Sequence, residues 1–200
     1  MMQMQTFLVV AALALLVAPV ARADSAEGGD DFRLDVVPPN PFAKGTKTIQ
    51  AEASYTTAIR YSLEEVATAT LGAGYYVFDN HCITLLAHGF HVNQAFDRDA
   101  DGGGVSLMGR WHFFNPDPFT FYFDGGGGLS WADRAVPIGG TTYNYTARVG
   151  LGMGYRLRDD VYLMGGARYF HLSNAQQHGR EKNPSYDGVE YYVGLLLTFR

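Results

Sequence analysis

Residues 142–157 alternate strictly between two kinds of side chain. The odd positions carry Tyr, Ala, Val, Leu or Met, and the even positions carry polar residues or glycine. A period of two is that of a β-strand whose two faces meet different surroundings. The segment is therefore predicted to be a strand with one wholly apolar face.

The same strand-like pattern runs from Thr46 to the end of the chain, with frequent glycines and aromatics and no sustained period near that of a helix. Eight strands are predicted, at residues 47–57, 64–78, 82–94, 103–114, 119–131, 142–157, 161–174 and 189–199. The expected fold is all-β, an eight-stranded antiparallel up-and-down β-barrel.

An apolar strand face can line the lumen of a soluble ligand-binding barrel or meet lipid on a membrane barrel. Tyr143 and Tyr155 bracket the apolar face of the sixth strand. A tilted strand of that length places them about 30 Å apart along a bilayer normal, which suits aromatic girdles at two interfaces. Gly150, Gly152 and Gly154 on the polar face suit a narrow lumen. Both features favour a transmembrane barrel.

The connections between predicted strands alternate in length. Those after the second, fourth and sixth strands are tight, whereas those after the third, fifth and seventh are longer, as at 95–102 and 132–141. Short periplasmic turns and longer external loops are typical of outer-membrane barrels. With an even strand number both termini of the barrel domain lie on the periplasmic side, so the seventh strand runs outward and ends near the outer leaflet.

The N-terminal region predicts export. Residues 7–20 form an apolar run, and Ala21-Arg22-Ala23 has the small-x-small form of a signal-peptidase site. An uncleaved anchor is less favoured because the run is short for a bilayer span. The predicted organisation is a signal peptide at 1–23, a flexible acidic and Pro-rich leader at 24–45, and an outer-membrane barrel at 46–200.

The net charge and the cysteine content argue against several kinds of partner and metal site. The formal net charge of −5 argues against nucleic acid as a partner. One cysteine, Cys82, leaves no intramolecular disulfide and no zinc site built on paired cysteines. Residues 97–102 resemble part of a calcium loop without its closing acidic ligand, and the histidines form no clear ligand set. No metal or cofactor is predicted.

The candidate chemistry lies at the end of the seventh strand. His171 and Ser173 are two residues apart, so their Cα atoms are separated by roughly 6.5–7 Å and their side chains share a face. They continue the apolar series of that strand and are expected to face lipid. Unpaired polar groups are costly in hydrocarbon, which favours a functional pair; the alternative is two polar residues in the headgroup layer. A base beside a hydroxyl is the beginning of an acyl-ester hydrolase.

The chain resembles the lipid A 3-O-deacylase family of outer-membrane enzymes in two stretches. They are His-Leu-Ser-Asn-Ala at 171–175 and Asp-Gly-Val-Glu at 187–190. The resemblance implies hydrolysis of the ester-linked 3-hydroxyacyl chain at the 3-position of lipid A, with no cofactor. The implied partners are lipopolysaccharide and outer-membrane lipids, and homodimerisation is left open.

The resemblance also implies roles for single residues. His171 would be the general base, Ser173 the nucleophile, Glu190 the residue that orients the histidine, and Asn174 a donor to the oxyanion. Gln176 stands where the family can have a glycine that supplies a second oxyanion contact. The connection between the two stretches is longer than the family's compact form.

Two questions remain open from the residues alone, namely which carboxylate orients His171 and what the protein does. Strict alternation puts Glu190 on the inner face of the eighth strand, so either a bulge re-aims it or Asp187 or Glu181 orients His171 instead. For function, the competitors are a non-catalytic outer-membrane barrel with a structural or adhesive role and an exported soluble barrel that carries a small ligand.

Overall fold

A computed structural model describes residues 40–59 and 64–200, and these residues form a closed barrel of eight antiparallel strands in sequence order. This confirms the predicted fold class. The strands are β1 (Lys47–Ala58), β2 (Glu65–Phe78), β3 (His81–Asn93), β4 (Ala100–Phe114), β5 (Phe119–Val136), β6 (Thr141–Arg158), β7 (Val161–Ser173) and β8 (Tyr186–Phe199). The predicted signal peptide and most of the predicted leader lie outside the described residues.

The two ends of the barrel differ in how the strands are joined. Residues 79–80, 115–118 and 159–160 join strands at what we call the short-turn end, where β1 begins beside the end of β8. The other end, the long-loop end, has connections at 59–64, 94–99, 137–140 and 174–185. β5 and β6 are longer than predicted, so their loop is only 137–140. The longest connection, 174–185, follows the candidate pair directly.

Every strand turns its apolar series outward. Leu71, Leu85, Leu107 and Leu151 are all exposed on the barrel exterior, as are Tyr143 and Tyr155, which bracket the outer face of β6 as predicted. A soluble monomer rarely exposes so continuous an apolar surface, whereas a membrane barrel needs one. The outward side of this barrel is therefore built to meet lipid.

Charged side chains fill the middle of the lumen. Three arginines and three carboxylates, all buried, form one electrically balanced cluster: Arg110, Arg148, Arg168, Glu52, Asp124 and Glu190. We call these six residues the lumen charge cluster. Buried charges are tolerated when they are paired and hydrogen-bonded, and here each has an opposite partner.

Arg168 is the hub of this cluster. Its Nε and Nη2 donate to the two oxygens of Asp124 at 3.0 and 2.8 Å, and its Nη1 donates to Glu52 at 2.9 Å. The guanidinium also lies 3.6 Å from the ring centroid of Tyr192. A planar guanidinium with five N–H donors can bind carboxylates in a bidentate manner and stack on an aromatic ring at the same time. Through these contacts Arg168 links β7 to β1, β5 and β8.

Apolar layers cover the charge cluster on both sides. At the long-loop end the layer includes Phe170, Leu172 and Tyr186. At the short-turn end it includes Tyr122, Tyr192 and Phe42. Phe42 lies in the segment predicted to be leader, yet its ring stacks on His112 with centroids 3.9 Å apart. The described part of that segment thus contributes to the core.

Gly152 shows how little room the lumen leaves. A Cβ on this inward-facing residue would lie 2.3 Å from both Tyr122 Cζ and Tyr192 Oη. Real atoms do not approach so closely, so a glycine is required where these two rings cross the bore. This agrees with the prediction that glycines on the polar face of β6 indicate a narrow lumen.

Helix is minimal in the described part of the chain. It contains a single 3-10 turn at Arg180–Lys182 within the longest loop, and no helix there is long and apolar enough to cross a membrane.

Candidate functional site

His171 and Ser173 occupy the last outward positions of β7. The imidazole Nε2 lies 3.0 Å from the hydroxyl oxygen of Ser173, which is hydrogen-bond distance. Both side chains follow Tyr169 and Ala167 along the outer face of the strand, as the alternation predicted. The structure therefore brings the predicted base and the predicted nucleophile together on the exterior of the barrel.

Asp187 completes a three-residue arrangement. It lies directly across from His171 in the β7–β8 pairing, and its Oδ1 is 2.7 Å from the imidazole Nδ1. An ionised carboxylate only accepts hydrogen bonds, so the proton of the neutral ring belongs on Nδ1 and Nε2 is left to accept from the Ser173 hydroxyl. Asp187 thus sets the tautomer that a general base needs.

Glu190, the residue expected to orient His171, is placed elsewhere. Glu190 is 2% exposed and its carboxylate faces the lumen, where it accepts from Ser54 Oγ at 2.9 Å and from Arg148 Nε at 3.3 Å. The reason is that β8 begins at Tyr186 rather than at 189 and keeps a regular register with β7. With no bulge to turn it, Glu190 keeps its inward parity, and the structure does not bring it to His171.

Asn174, the expected oxyanion donor, is engaged in the loop that follows. Its Nδ2 donates to the carbonyl oxygen of Lys182 at 2.5 Å, and its Oδ1 accepts from the amide of Gln176 at 3.0 Å. Its own backbone amide donates to Asn183 Oδ1 at 2.9 Å. Since an amide nitrogen carries two hydrogens, one N–H of Nδ2 remains beyond the bond to Lys182. Through these three hydrogen bonds, Asn174 holds the 174–185 loop against the end of β7.

This loop also reaches the outer face beside Ser173. Gln177 Nε2 donates to the hydroxyl of Tyr145 at 2.6 Å, and Tyr145 is the cross-strand neighbour of Ser173 on β6. Ser173 is a buried residue, 8% exposed, whereas the His171 and Asp187 side chains are partly exposed. The hydroxyl lies in a protected position at the rim of the apolar band.

The histidines and the cysteine that lie away from β7 show no arrangement like that of Asp187, His171 and Ser173 within the described residues. His88 faces the lumen, whereas His91 faces outward and contacts Asp101 at 2.9 Å. Among residues 40–59 and 64–200, no three His, Cys, Asp or Glu side chains are grouped so that they could hold a metal ion. Cys82 is buried in the apolar layer at the short-turn end, consistent with a packing role.

Sequence reasoning missed one participant and ranked another too low. Tyr169, whose hydroxyl contacts Asp187, belongs to the apolar series of β7, and the alternation alone gives it no polar role. Asp187 was an alternative to Glu190, although it shares the outward parity of Tyr191 and Val193. Parity alone would have selected Asp187, because two side chains on opposite faces of adjacent strands cannot meet.

Both the sequence and the fold of this chain are similar to those of known proteins. A family model described as lipid A 3-O-deacylase (PagL) matches residues 49–195. Neisserial surface protein A superposes with a TM-score of 0.58 at 15% identity, over 77% of this chain and 96% of that one. Outer membrane protein OprG from Pseudomonas aeruginosa gives 0.49 at 14% identity, over 80% and 99%. No curated protein sequence gives a significant match. The first of these structures shows a shared fold.

Proposed function

Because this chain belongs to the lipid A 3-O-deacylase (PagL) family and forms an outer-membrane β-barrel, we propose that it hydrolyses the ester-linked 3-hydroxyacyl chain at the 3-position of lipid A. The proposed nucleophile is Ser173, the general base is His171, and the residue that orients the base is Asp187. Asp187 takes the place that the sequence had suggested for Glu190.

The observation that carries the proposal is the unbroken chain of contacts from Asp187 through His171 to Ser173. The two distances, 2.7 and 3.0 Å, are those of a hydrogen-bonded acid, base and nucleophile. The same order of roles supports ester and amide hydrolysis on unrelated folds, where it is recognised by geometry and not by chain position. Because unpaired polar groups are costly in hydrocarbon, a hydrogen-bonded polar series on an otherwise apolar outer face supports a shared function.

The first half of the reaction forms an acyl-enzyme. Ser173 Oγ attacks the ester carbonyl carbon while its proton moves to His171 Nε2. The imidazolium that forms is stabilised by the Asp187 carboxylate on Nδ1. When the tetrahedral intermediate collapses, the carbonyl carbon–oxygen bond to the sugar breaks and the Nε2 proton passes to the departing sugar oxygen.

The second half returns the enzyme. A water molecule gives a proton to His171 Nε2 and attacks the acyl carbon. The proton then passes to Ser173 Oγ, and the 3-hydroxy fatty acid leaves. The sum is one ester and one water giving one alcohol and one acid.

The developing oxyanion needs a donor, and Asn174 is the residue proposed for this role. The N–H of Nδ2 that does not reach Lys182 is the group assigned to it. Preorganised donors of this kind contribute about 3–4 kcal/mol in enzymes that have been mutated there. The fold of the 174–185 loop, which Asn174 itself holds, fixes where that N–H lies.

The position of the site on the barrel supports a membrane lipid as the substrate. The pair lies on the outward face, at the end of an apolar band formed by residues such as Val149 and Leu151. With the short-turn end in the periplasm, the long-loop end reaches the outer leaflet. An acyl chain can then lie along the barrel wall while its ester meets Ser173, so the lipid need not leave the membrane.

The proposal is tested by mass spectrometry of lipid A from Gram-negative cells that carry the gene, the His171→Ala variant or an empty vector. Only the wild-type protein should remove the mass of one 3-hydroxyacyl group. The variant should reach the outer membrane and show the same heat-modifiable migration. If lipid A is unchanged by the wild-type protein, the chain is a non-catalytic barrel and the proposed activity is wrong.

A further inference from the structure

The carboxylate that orients His171 is itself held by a second donor. Tyr169 Oη and His171 Nδ1 both contact the same oxygen, Oδ1 of Asp187. The contact is between two neighbouring strands, since Tyr169 lies on β7 and Asp187 on β8. Four outward side chains thus form one series: Tyr169, Asp187, His171 and Ser173.

The strand register explains why the phenol reaches the carboxylate. His171 is directly opposite Asp187, and Tyr169 is directly opposite Val189. Tyr169 and Asp187 are therefore diagonal neighbours on the outer face, which lie about 7–8 Å apart between Cα atoms and within reach of an aromatic side chain. The phenol spans that diagonal and places its hydroxyl at Oδ1.

We propose that Tyr169 is a positioning residue of the active site, which fixes the Asp187 carboxylate so that Oδ1 stays aimed at the imidazole. This inference rests on the proposed function. A carboxylate with one partner can rotate about its terminal torsion, which is broad. A second donor on the same oxygen restricts that rotation and holds the histidine in the tautomer that can accept the serine proton.

The competing explanation is that Tyr169 only anchors the barrel. Tyrosines are enriched where membrane proteins meet the water interface, and the Tyr169 ring is exposed on the outer face. This explanation requires the ring and a polar tip but not a particular hydrogen-bond partner. It therefore predicts that removing the hydroxyl has the same small effect at Tyr169 as at other outward tyrosines near the same end.

The test compares Tyr169→Phe with the matched control Tyr143→Phe, an outward tyrosine at the long-loop end of β6. Both proteins are purified in detergent and assayed on lipid A dispersed in mixed micelles. We expect kcat to fall about tenfold for Tyr169→Phe, the size of one hydrogen bond to a charged group, with KM unchanged. Tyr143→Phe should match the wild type in both constants.

A double-mutant comparison separates a positioning role from a general one. In an Asp187→Ala background the Tyr169 hydroxyl has no Asp187 carboxylate to position, so adding Tyr169→Phe should lower kcat no further. The inference is overturned if Tyr169→Phe has the kcat of the wild type, or if it lowers kcat by the same factor with and without Asp187. If Asp187→Ala itself keeps full activity, the orienting role in the proposed function fails instead, which is a separate result.

Discussion

Asp187 and His171 face each other across the β7–β8 pair on the outer wall of the barrel, with Oδ1 2.7 Å from Nδ1. Glu190, three residues further along β8, faces the other way and is paired with Arg148 in the lumen. The two carboxylates of one sequence motif thus have different surroundings, and they should respond differently to substitution.

Asp187→Asn should lower kcat by roughly 10²–10⁴-fold while the barrel stays folded. The carboxamide can present its NH₂ to Nδ1 and so favour the tautomer with the proton on Nε2, where it cannot accept from Ser173. The measurement is the rate of fatty-acid release by purified protein, with heat-modifiable migration as the check on folding. Wild-type activity in this variant would remove Asp187 from the mechanism.

Glu190→Gln should act on stability and leave the catalytic geometry in place. The change leaves the lumen charge cluster with three cations against two anions, and breaking a buried pair costs about 3–5 kcal/mol. Urea unfolding in detergent should show the loss, and the folded fraction should keep a kcat near that of the wild type. If kcat collapses while the unfolding midpoint is unchanged, Glu190 acts in catalysis and our assignment of the carboxylates is reversed.

Arg168→Met should be the most destabilising change in the lumen charge cluster. It leaves Asp124 and Glu52 with Arg110 as the remaining cation that contacts both of them, so a loss of about 3–5 kcal/mol in the free energy of unfolding is expected. Arg158→Met is the matched control, because Arg158 and Asp160 form an exposed pair with nitrogen and oxygen 3.6 Å apart. Such pairs contribute about 0–1 kcal/mol. Equal effects at the two arginines would contradict a structural role for the cluster.

Gly152→Ala should lower stability because the added methyl group meets the crossing rings of Tyr122 and Tyr192. Overpacking of a filled interior costs about 1–3 kcal/mol. Gly125→Ala is the control, since a Cβ at that outward position would have its nearest neighbours at 3.5 Å, an ordinary contact. The comparison is made by the unfolding midpoints of the two variants in the same detergent. A wild-type midpoint for Gly152→Ala would show that the lumen has more space than the structure indicates.

Ala147→Leu should impair turnover without affecting folding. Ala147 faces outward directly across from His171, and a larger side chain there would crowd the approach of the ester to Ser173. Because a small misplacement of reacting groups can cost about 10²-fold, kcat/KM should fall by about tenfold or more. Ala73→Leu, an outward position on β2, should keep the wild-type value. Unchanged kcat/KM in Ala147→Leu would mean that the substrate approaches from another side.

Much of the fold could be predicted from the two-residue period with which apolar and polar side chains alternate. Alternation over 142–157 gave β6 and its apolar face, and the same parity along β7 placed His171 and Ser173 outside. Each of these features depends on residues within one strand, and for that reason the sequence alone predicts it.

The parts that were not predicted depend on register and on distant partners. The contact between Arg168 and Glu52 joins residues 116 positions apart, and no pattern within β1 or β7 identifies it. The choice between Asp187 and Glu190 required the start of β8, which lies at Tyr186 and not at the predicted 189. The surroundings of Asn174 could not be predicted either, because its contacts are with Lys182 and Asn183, whose positions local spacing does not fix.

The most direct test of the central claim is to follow lipid A by mass spectrometry during incubation with purified wild-type protein, Ser173→Ala and Ser130→Ala. Ser130 is a buried serine on β5 and serves as the control for loss of a hydroxyl. Wild type and Ser130→Ala should remove one 3-hydroxyacyl group, and Ser173→Ala should leave the lipid intact although it folds. Loss of the same acyl group with Ser173→Ala would contradict the account, because the outward serine would then not be the nucleophile.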